Sequence, residues 1–557
     1  MTQVDRTEGL VGNTAIKAPC KLAATVNVAS LSGSLTIDGV ATVTGDRILL
    51  TAQTSGVNNG IWVADSGAWS RALDCDGDLD ITFGTLVRVT SGSANYGFYI
   101  CTTATDPIIV GTTSIAFSLT QITVPVLSSF MATVLDDVDS AAARATLGVA
   151  NYISAGDPVW GITGNGVTND ASAIQTMLNA SGGKTVYFPE ATYYIGASVI
   201  SIPGNQRVVG DNPYTTQFKR DTDTNLPMVQ IKGQGFVYIE NIGCLYTAAT
   251  GTLGYAQSGF SIRDGATDVL LRNCVVQGFI NRGFHIINSS RVTLRDCVAI
   301  GNKNAGIRIV SDFAANAYPN FSDETSPKIV RDILVTGCHV YGGATAVSTT
   351  ALTDYGINAA AETGASDDMN YVRITDCHVY YTKSQGISVS GKTSRGSVIA
   401  NNTITNVNDG AGNGVGILVQ RYNGNSASRW AITGNVVKEC VIGMWVQDAF
   451  YGTITGNVSE KNTSHGLYIA ASGAFVFGVV VTGNLLTFNG ASGAYMSGAV
   501  QRINITGNDL EDNTNFGVYD EAAADRILIT SNMIRGNGVG PTSLAATNSI
   551  TANNLST

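Results

Sequence analysis

From about residue 231 onward, apolar and polar positions alternate in short runs that return in the same order. One run closes on a marker residue, in VLLRNC, VTLRDC, ILVTGC, VRITDC, VIANN, AITGN, TITGN, VVTGN, NITGN, LITSN and SITAN. A piece of about three residues such as VVQ, VAI or HVY follows, then a polar turn closed by Gly. A third run such as GFHII, GIRIV, GISVS, GILVQ or GLYIA completes the unit. Period-two alternation predicts strands with one buried face and one outward face. The markers are Cys274, Cys297, Cys338, Cys377, Asn402, Asn435, Asn457, Asn484, Asn508, Asn532 and Asn553, at intervals of 23, 41, 39, 25, 33, 22, 27, 24, 24 and 21 residues. A minimal unit of this length is too short for paired-helix repeats and has no leucine-rich signature. It matches one turn of a three-faced β-solenoid. VYIENI at 237–242 reads as an earlier coil.

Stacked coils set equivalent residues about 4.8 Å apart, so like side chains form ladders. Asn markers then satisfy turn backbone and one another, and the four Cys markers fit the same tight inward corner as structural residues. Crossovers between parallel strands are right-handed as a rule. The expected fold is mainly β, a right-handed parallel β-helix over 231–557.

The front of the chain is patterned differently. Residues 20–122 hold dense strand signals, among them DRILL, GIWVADSGAWSRA, TLVRV, YGFYICTTA and IAFSL, which predict a small β-rich domain after an N-terminal arm at 1–19. Within 123–156, Phe130, Val134, Val138 and Ala142 recur every fourth residue and predict a short helical neck. Its apolar stripe packs against copies of itself or against its own domain.

Composition narrows the class. Of 557 residues, 44% are apolar, 13% are charged and 63 are Gly. Those glycines have no three-residue period, which points to a turn-rich β body rather than a collagen-like or disordered chain. A net charge of −10 argues against a general nucleic-acid binder, which needs a basic face. MTQVDRTEGLVGNT lacks a basic-then-apolar leader, and no stretch of about 18 apolar residues is present, so neither secretion nor membrane insertion is expected. Nine cysteines without a CxxC pair predict free buried thiols in a reducing cytoplasm rather than disulfides or zinc. No metal and no cofactor is expected.

Residues 157–210, DPVWGITGNGVTNDASAIQTMLNASGGKTVYFPEATYYIGASVISIPGNQRVVG, resemble the opening segment of the pectate-lyase-like β-helix family. There a Gly-rich loop leads to a helix, here about Ala171–Ala180, and then to a strand and turn. The resemblance covers residue 157 to about 557 and makes 157–230 the opening cap of the β-helix. The whole layout resembles bacteriophage tailspikes. LTIDGVATVTGDRILLTAQTSGVNNGIWVADSGAWSRA is similar to N-terminal domains of phage tail proteins, and FMATVLDDVDSAAARATLGV to a neck of tail fibres. One departure is that coil-like SITANNLST closes the chain, without a large C-terminal trimerisation or lectin domain. The resemblance implies a homotrimer made in the host cytoplasm and carried in the virion tail, attached to the tail or baseplate through its N-terminal region. It further implies binding, and usually depolymerisation, of a bacterial surface polysaccharide (O-antigen or capsule).

Solenoid faces are flat, so a site needs long turns or a special row of side chains. The two long intervals carry SDFAANAYPNFSDETSPK and a stretch ending AAAETGASDDMN. These are either binding loops or fillers of a crevice between subunits. Two residues past the Gly of each third strand lie His285, Arg308, Asn358, Ser388, Leu418, Trp445, Tyr468, Tyr495 and Tyr519, a predicted outward row. Of these, His285, Arg308, Asn358, Trp445, Tyr468, Tyr495 and Tyr519 are the candidate glycan-binding residues. Flat rings match the C–H faces of sugars, although an aromatic ladder also stabilises a strand without a ligand.

Six residues past the Gly, Asp312 and Glu362 occupy equivalent places in adjacent coils. Glycosidases set two carboxyl groups about 5 Å apart when retaining and about 6.5–9.5 Å when inverting. Asp312 and Glu362 are the first candidate catalytic pair, Asp448 near Trp445 the next, with Asp354, Asp367, Asp368, Asp409 and Glu439 as other acids. A lyase needs a positioned base and an enolate stabiliser, roles open to His285, Arg308 and the tyrosines, but the clustered aspartates that hold calcium in pectate lyases are missing. Hydrolase, lyase, a glycan receptor without activity and a structural spacer are the readings carried forward.

Overall fold

The computed structural model describes residues 16–78, 80–120, 142–143, 146–147, 152–248, 257–311, 329–343, 353–361, 368–391, 396–422, 424–521 and 523–556. They form two compact units, divided at residue 136. Phe130, Val134 and Val138 of the expected neck lie outside the described residues. No described helix is long and apolar enough to cross a membrane.

The N-terminal unit is built on two four-stranded sheets. One joins Ile16–Cys20, Leu86–Val89, Gly97–Cys101 and Phe117–Thr120, and the other Leu22–Ala24, Arg47–Leu50, Gly60–Val63 and Ser70–Arg71. Leu49 and Ile61 pack with Val87, Tyr99 and Phe117, whereas Ile48 and Leu50 pack with Trp69 on the opposite side. Alternation along Arg47–Leu50 thus feeds two cores from one strand.

The second unit is a right-handed parallel β-helix. Its three sheets have 16, 15 and 13 described strands, each strand hydrogen-bonded to its counterpart in neighbouring coils. They start at Tyr152–Ser154, Asn165–Asn169 and Ile200–Ser201, so coiling begins ahead of residue 231. The helix Ala171–Ala180 lays Ile174, Met177 and Leu178 on the first coils. Buried Asp170, just ahead of it, takes the backbone N–H of Thr163 at 2.8 Å and of Gly164 at 3.0 Å, tying down the Gly-rich turn.

The marker residues occupy one inward rung. Each Cys thiol donates to a carbonyl of the preceding coil: Cys297 to Leu271 O at 3.5 Å, Cys338 to Leu294 O at 3.6 Å, Cys377 to Val335 O at 3.7 Å. Asn402 and Asn435 make the same bond with their amide nitrogens, to Ile374 O and Ile399 O, both at 2.9 Å. Each Asn also accepts from the rung before it, so that Asn484 Oδ1 receives the backbone N–H of Asn457 at 2.9 Å and its Nδ2 at 2.8 Å. The final rung is Asn554 rather than the expected Asn553, because Asn532 donates to Asn554 Oδ1. Asn553 is instead the left-handed corner residue, φ 53°. A second ladder that the markers do not reveal runs Asn462, Asn489, Asn513, Asn537 with spacings of 2.9–3.0 Å. All nine cysteines are buried and unpaired.

The Gly that opens each third run is there for space. A Cβ on Gly416 would sit 2.6 Å from Gly443 O and 3.3 Å from Cys440 Sγ, and against Val437. The same collision, with the next coil's Gly carbonyl, recurs at Gly283, Gly306 and Gly386. Buried Arg220 gathers the carbonyls of Gly196, Leu226 and Pro227 at 2.8–3.1 Å.

Candidate functional site

The predicted outward row exists as a register. Cα pairing runs Ser261, His285, Arg308, Asn358, Ser388, Leu418, Trp445, Tyr468, Tyr495, Tyr519 and Ser543 through successive coils of the third sheet. Their neighbours Ile286, Ile307, Ile387, Val446 and Ile469 fill the core, so the row does point away from it. The expectation that the whole row faces solvent is corrected. His285 and Ser388 are fully buried, and Arg308, Asn358 and Leu418 are at most 9% exposed. In these coils the third strands are buried on both faces, and a side chain there meets protein, not bulk water.

His285 shows the consequence. Burial holds its imidazole well below the ordinary range, and the charges of Arg282, Arg308 and Arg263 press it further down, so it is neutral. Asn358 donates to Ser388 Oγ at 2.6 Å. This polar strip is an internal network.

From Trp445 onward the row is half-exposed and aromatic. Trp445 and Tyr468 stack at 5.2 Å and 22°, and Tyr495 and Tyr519 at 5.3 Å and 10°. Between them Tyr468 and Tyr495 tilt by 47°, and the ring of His465 lies over Tyr495 at 4.3 Å and 10°. Phe516 adds a ring beside Tyr519 at 5.2 Å. Because parallel strands set the rings on one another, most ring faces are already covered by the next ring. What the stack offers outward is its edge. The Tyr468 hydroxyl meets Ser497 Oγ at 2.9 Å, and the Tyr495 hydroxyl donates to Glu521 Oε1. Burial, then the Glu521 bond and charge, raise the Tyr495 phenol far above its ordinary range and keep it a proton donor. Trp445 Nε1 has no hydrogen-bond partner among the described residues. That indole N–H is buried, so the strip presents hydroxyls and one carboxylate outward, a set suited to sugar hydroxyls more than to flat stacking.

His465, Phe516 and Glu521 belong to this strip and were not foreseen. His465 and Phe516 each precede a strand Gly, a signal the sequence does carry. Glu521 lies 26 residues from Tyr495, and nothing local marks it.

Asp312, Glu362 and Asp367 lie outside the described residues. Asp448 is 4% exposed, and its carboxylate takes the backbone N–H groups of Ser472 at 2.9 Å, Ala474 at 3.1 Å and Gly473 at 3.2 Å, plus Ser472 Oγ at 3.1 Å. It holds the turn after the neighbouring rung. Asp409 is likewise engaged by its own turn, through Ala411 N at 2.7 Å and Asn413 Nδ2 at 2.8 Å. Asp354 lies 3.9 Å from Lys383. Asp368 begins a first-sheet strand, and Glu439 is a left-handed corner residue.

A further carboxyl pair stands on the second sheet. Burial, then the bond and charge of Glu511, push Asp509 up to about 6. Asp509 also lines a cavity of about 540 Å³ with Asn484, Asn508 and Met533. Glu511 is ion-paired with Arg535. Among the described residues no group of three or more His, Cys, Asp or Glu side chains is arranged to hold a metal ion.

A family profile described as "NosD: Periplasmic copper-binding protein (NosD)" matches residues 370–557. The described residues there do not fit a copper centre: no three His, Cys, Asp or Glu side chains are grouped to hold a metal ion, Cys377 and Cys440 are buried, His378 stacks on His339 with Nδ1 bonded to the Tyr380 hydroxyl at 2.7 Å, and His465 lies over the Tyr495 ring. A search of the curated proteins finds no match. Among solved structures, the chain is similar to the Azotobacter vinelandii mannuronan C-5 epimerase AlgE4 A-module, at 17% identity and a TM-score of 0.49, over 72% of this chain and 100% of that one. It is also similar to the Bacteriophage CBA120 tailspike protein 3, at 13% identity and 0.45, over 84% and 74%. A third likeness is to the Dettilon tailspike protein, at 15% and 0.44, over 65% and 67%. These likenesses concern the coiled fold.

Proposed function

We propose that this chain is a phage tail protein that binds a bacterial surface polysaccharide along the ring stack of its third sheet and shortens it by glycosidic hydrolysis. The observation that carries the binding step is the edge of the stack itself: Trp445, Tyr468 and Tyr495 with Ser497 and Glu521, in a solenoid whose preceding coils keep the same row buried. A run of hydroxyls and one carboxylate at one rung per coil fits a polymer of repeated hydroxyl-bearing rings. The tail location, attachment through the N-terminal unit and a homotrimer follow from the tailspike-like layout of the sequence.

For cleavage, Asp312 and Glu362 are the proposed pair. The last described residues before them, Ser311 and Ala361, are register partners in adjacent coils. One carboxyl would protonate the leaving oxygen while the other supports the oxocarbenium-like transition state or activates water. Asp448 is assigned to holding the 472–474 turn, a positioning role. A second reading, a receptor that binds without cutting, is favoured by the engagement of both described acids beside the stack, Asp448 by backbone and Glu521 by Tyr495.

Incubating the protein with surface polysaccharides separates these readings. Shorter chains with new reducing ends are expected, lost in Asp312→Asn and Glu362→Gln. A new double bond seen by absorbance makes the reaction a lyase, and bound but intact polymer makes the chain a receptor. Absence of binding to any polysaccharide removes the proposal.

A further inference from the structure

The corner between the third and first sheets carries a left-handed residue in most coils. In the lower solenoid these are Arg429 (φ 55°), Tyr451 (φ 49°), Gly478 (φ 70°), Arg502 (φ 53°) and Arg526 (φ 56°). They stand on consecutive rungs: Arg429 N donates to Phe450 O at 3.1 Å, Tyr451 N to Phe477 O at 2.9 Å and Gly478 N to Gln501 O at 3.1 Å, and Gln501 pairs with Asp525. Arg429, Tyr451, Arg502 and Arg526 are all exposed.

Aromatic groups lie between the charges. Phe477 meets Tyr451 edge-on at 5.6 Å, and the Arg502 guanidinium lies over Phe477, 4.8 Å from its centroid. Arg421 reaches the turn two coils on, donating to Gly473 O at 2.8 Å. Arg526 is paired with Asp525 at 2.8 Å, but among the described residues Arg421, Arg429 and Arg502 have no carboxylate partner. On a chain of net charge −10, three guanidinium groups with no ion-paired carboxylate among the described residues, beside exposed Tyr451 and half-buried Phe477, make a locally basic strip.

We propose that this strip, Arg421, Arg429, Tyr451, Phe477 and Arg502, binds an acidic polysaccharide laid along the solenoid axis. Its carboxylates meet the guanidinium groups, and its C–H faces meet the rings. Guanidinium forks match carboxylates bidentately and are only weakly hydrated, and rings beside them add apolar contact without competing for the charge. Rungs recur about every 4.8 Å, close to the advance of one pyranose residue in an extended chain, so successive sugars meet successive rungs. The inference rests on the glycan reading above and narrows its substrate class to carboxylate-bearing polymers.

The test uses the full chain, polygalacturonate, and the same polymer after carboxyl reduction to its neutral form, in affinity electrophoresis over a salt series. The acidic polymer is expected to retain the protein at low salt and the reduced polymer not to. The double variant R429Q/R502Q should weaken retention by about tenfold and flatten its salt dependence, whereas R429K/R502K should keep the salt dependence. Thermal melting checks that the surface variants remain folded. Equal retention by both polymers, no retention by polygalacturonate, or a double variant that behaves like the parent overturns the proposal. So does a single-stranded DNA oligomer of matched charge that binds as tightly and is lost in the same variant, which would make the strip a general polyanion surface. If a neutral surface polysaccharide is bound by parent and double variant alike while polygalacturonate is ignored, this proposal falls and the glycan reading stands. If no polysaccharide of either kind is bound, both fall.

Discussion

Between Ser261 and Ser388 the outer row of the third sheet is polar and buried; between Trp445 and Tyr519 the same register is aromatic and half-exposed. The backbone is the same in both stretches, with parallel pairs at one residue per coil. Alternation decides only that a side chain leaves the core. Whether it then reaches water depends on what lies over the sheet. The rungs beneath divide along the same chain, with thiols at Cys274–Cys377 and amides from Asn402 onward. A thiol has one weak donor for the preceding coil, whereas an amide also accepts from the rung before it. The lower coils are therefore tied in both directions along the axis.

That difference can be broken directly. Asn484→Leu removes a donor to Ile454 O and strands two buried N–H groups of Asn457, and should cost about 3 kcal/mol in urea unfolding. Cys338→Ala removes one weak bond and a little volume, and should cost about 1 kcal/mol. Equal losses would erase the distinction between the two ladders.

Two glycines sharpen it. Gly416→Ala, which drives a Cβ into the next coil, should cost about 2–3 kcal/mol. Gly456→Ala has nothing within 4 Å and meets only a left-handed φ of 64°, and should cost about 1 kcal/mol.

For function, Tyr468→Ala opens the ring stack and should weaken polysaccharide binding about tenfold, or about 1.4 kcal/mol. His285→Ala, on the buried part of the row, should lower thermal stability and leave binding unchanged. A stronger binding defect at His285 would relocate the site to the upper coils.

The smallest effect is a pH dependence. Burial holds the His465 imidazole down at about 4, below its unfolded value of about 6.5. The unfolded chain takes up the proton first, so this contribution is fully present above about pH 6.5 and is lost as pH falls toward about 4. His465→Gln should flatten that part of the melting-temperature profile, and an unchanged slope would show that the ring is not held neutral against Tyr495.

Much of the fold was legible in the residues. The marker phrases, the helix at Ala171–Ala180 and the row from His285 to Tyr519 all follow from local period and spacing, and the pairing of strands reproduces them. The final rung was misplaced by one residue, because SITAN and SITANN differ only in which Asn turns the corner. The ladder from Asn462 to Asn537, the bond of Tyr495 to Glu521 and the engagement of Asp448 by residues 472–474 were not legible, since each joins residues 24 to 27 apart in the chain.

The sequence by itself determined that this chain winds into stacked coils, because alternation and repeat length are properties of short segments. Only the tertiary structure decided which outward positions meet solvent, which carboxylates hold turns, and which arginines have no carboxylate partner among the described residues. Those outcomes depend on what stands across each side chain in space.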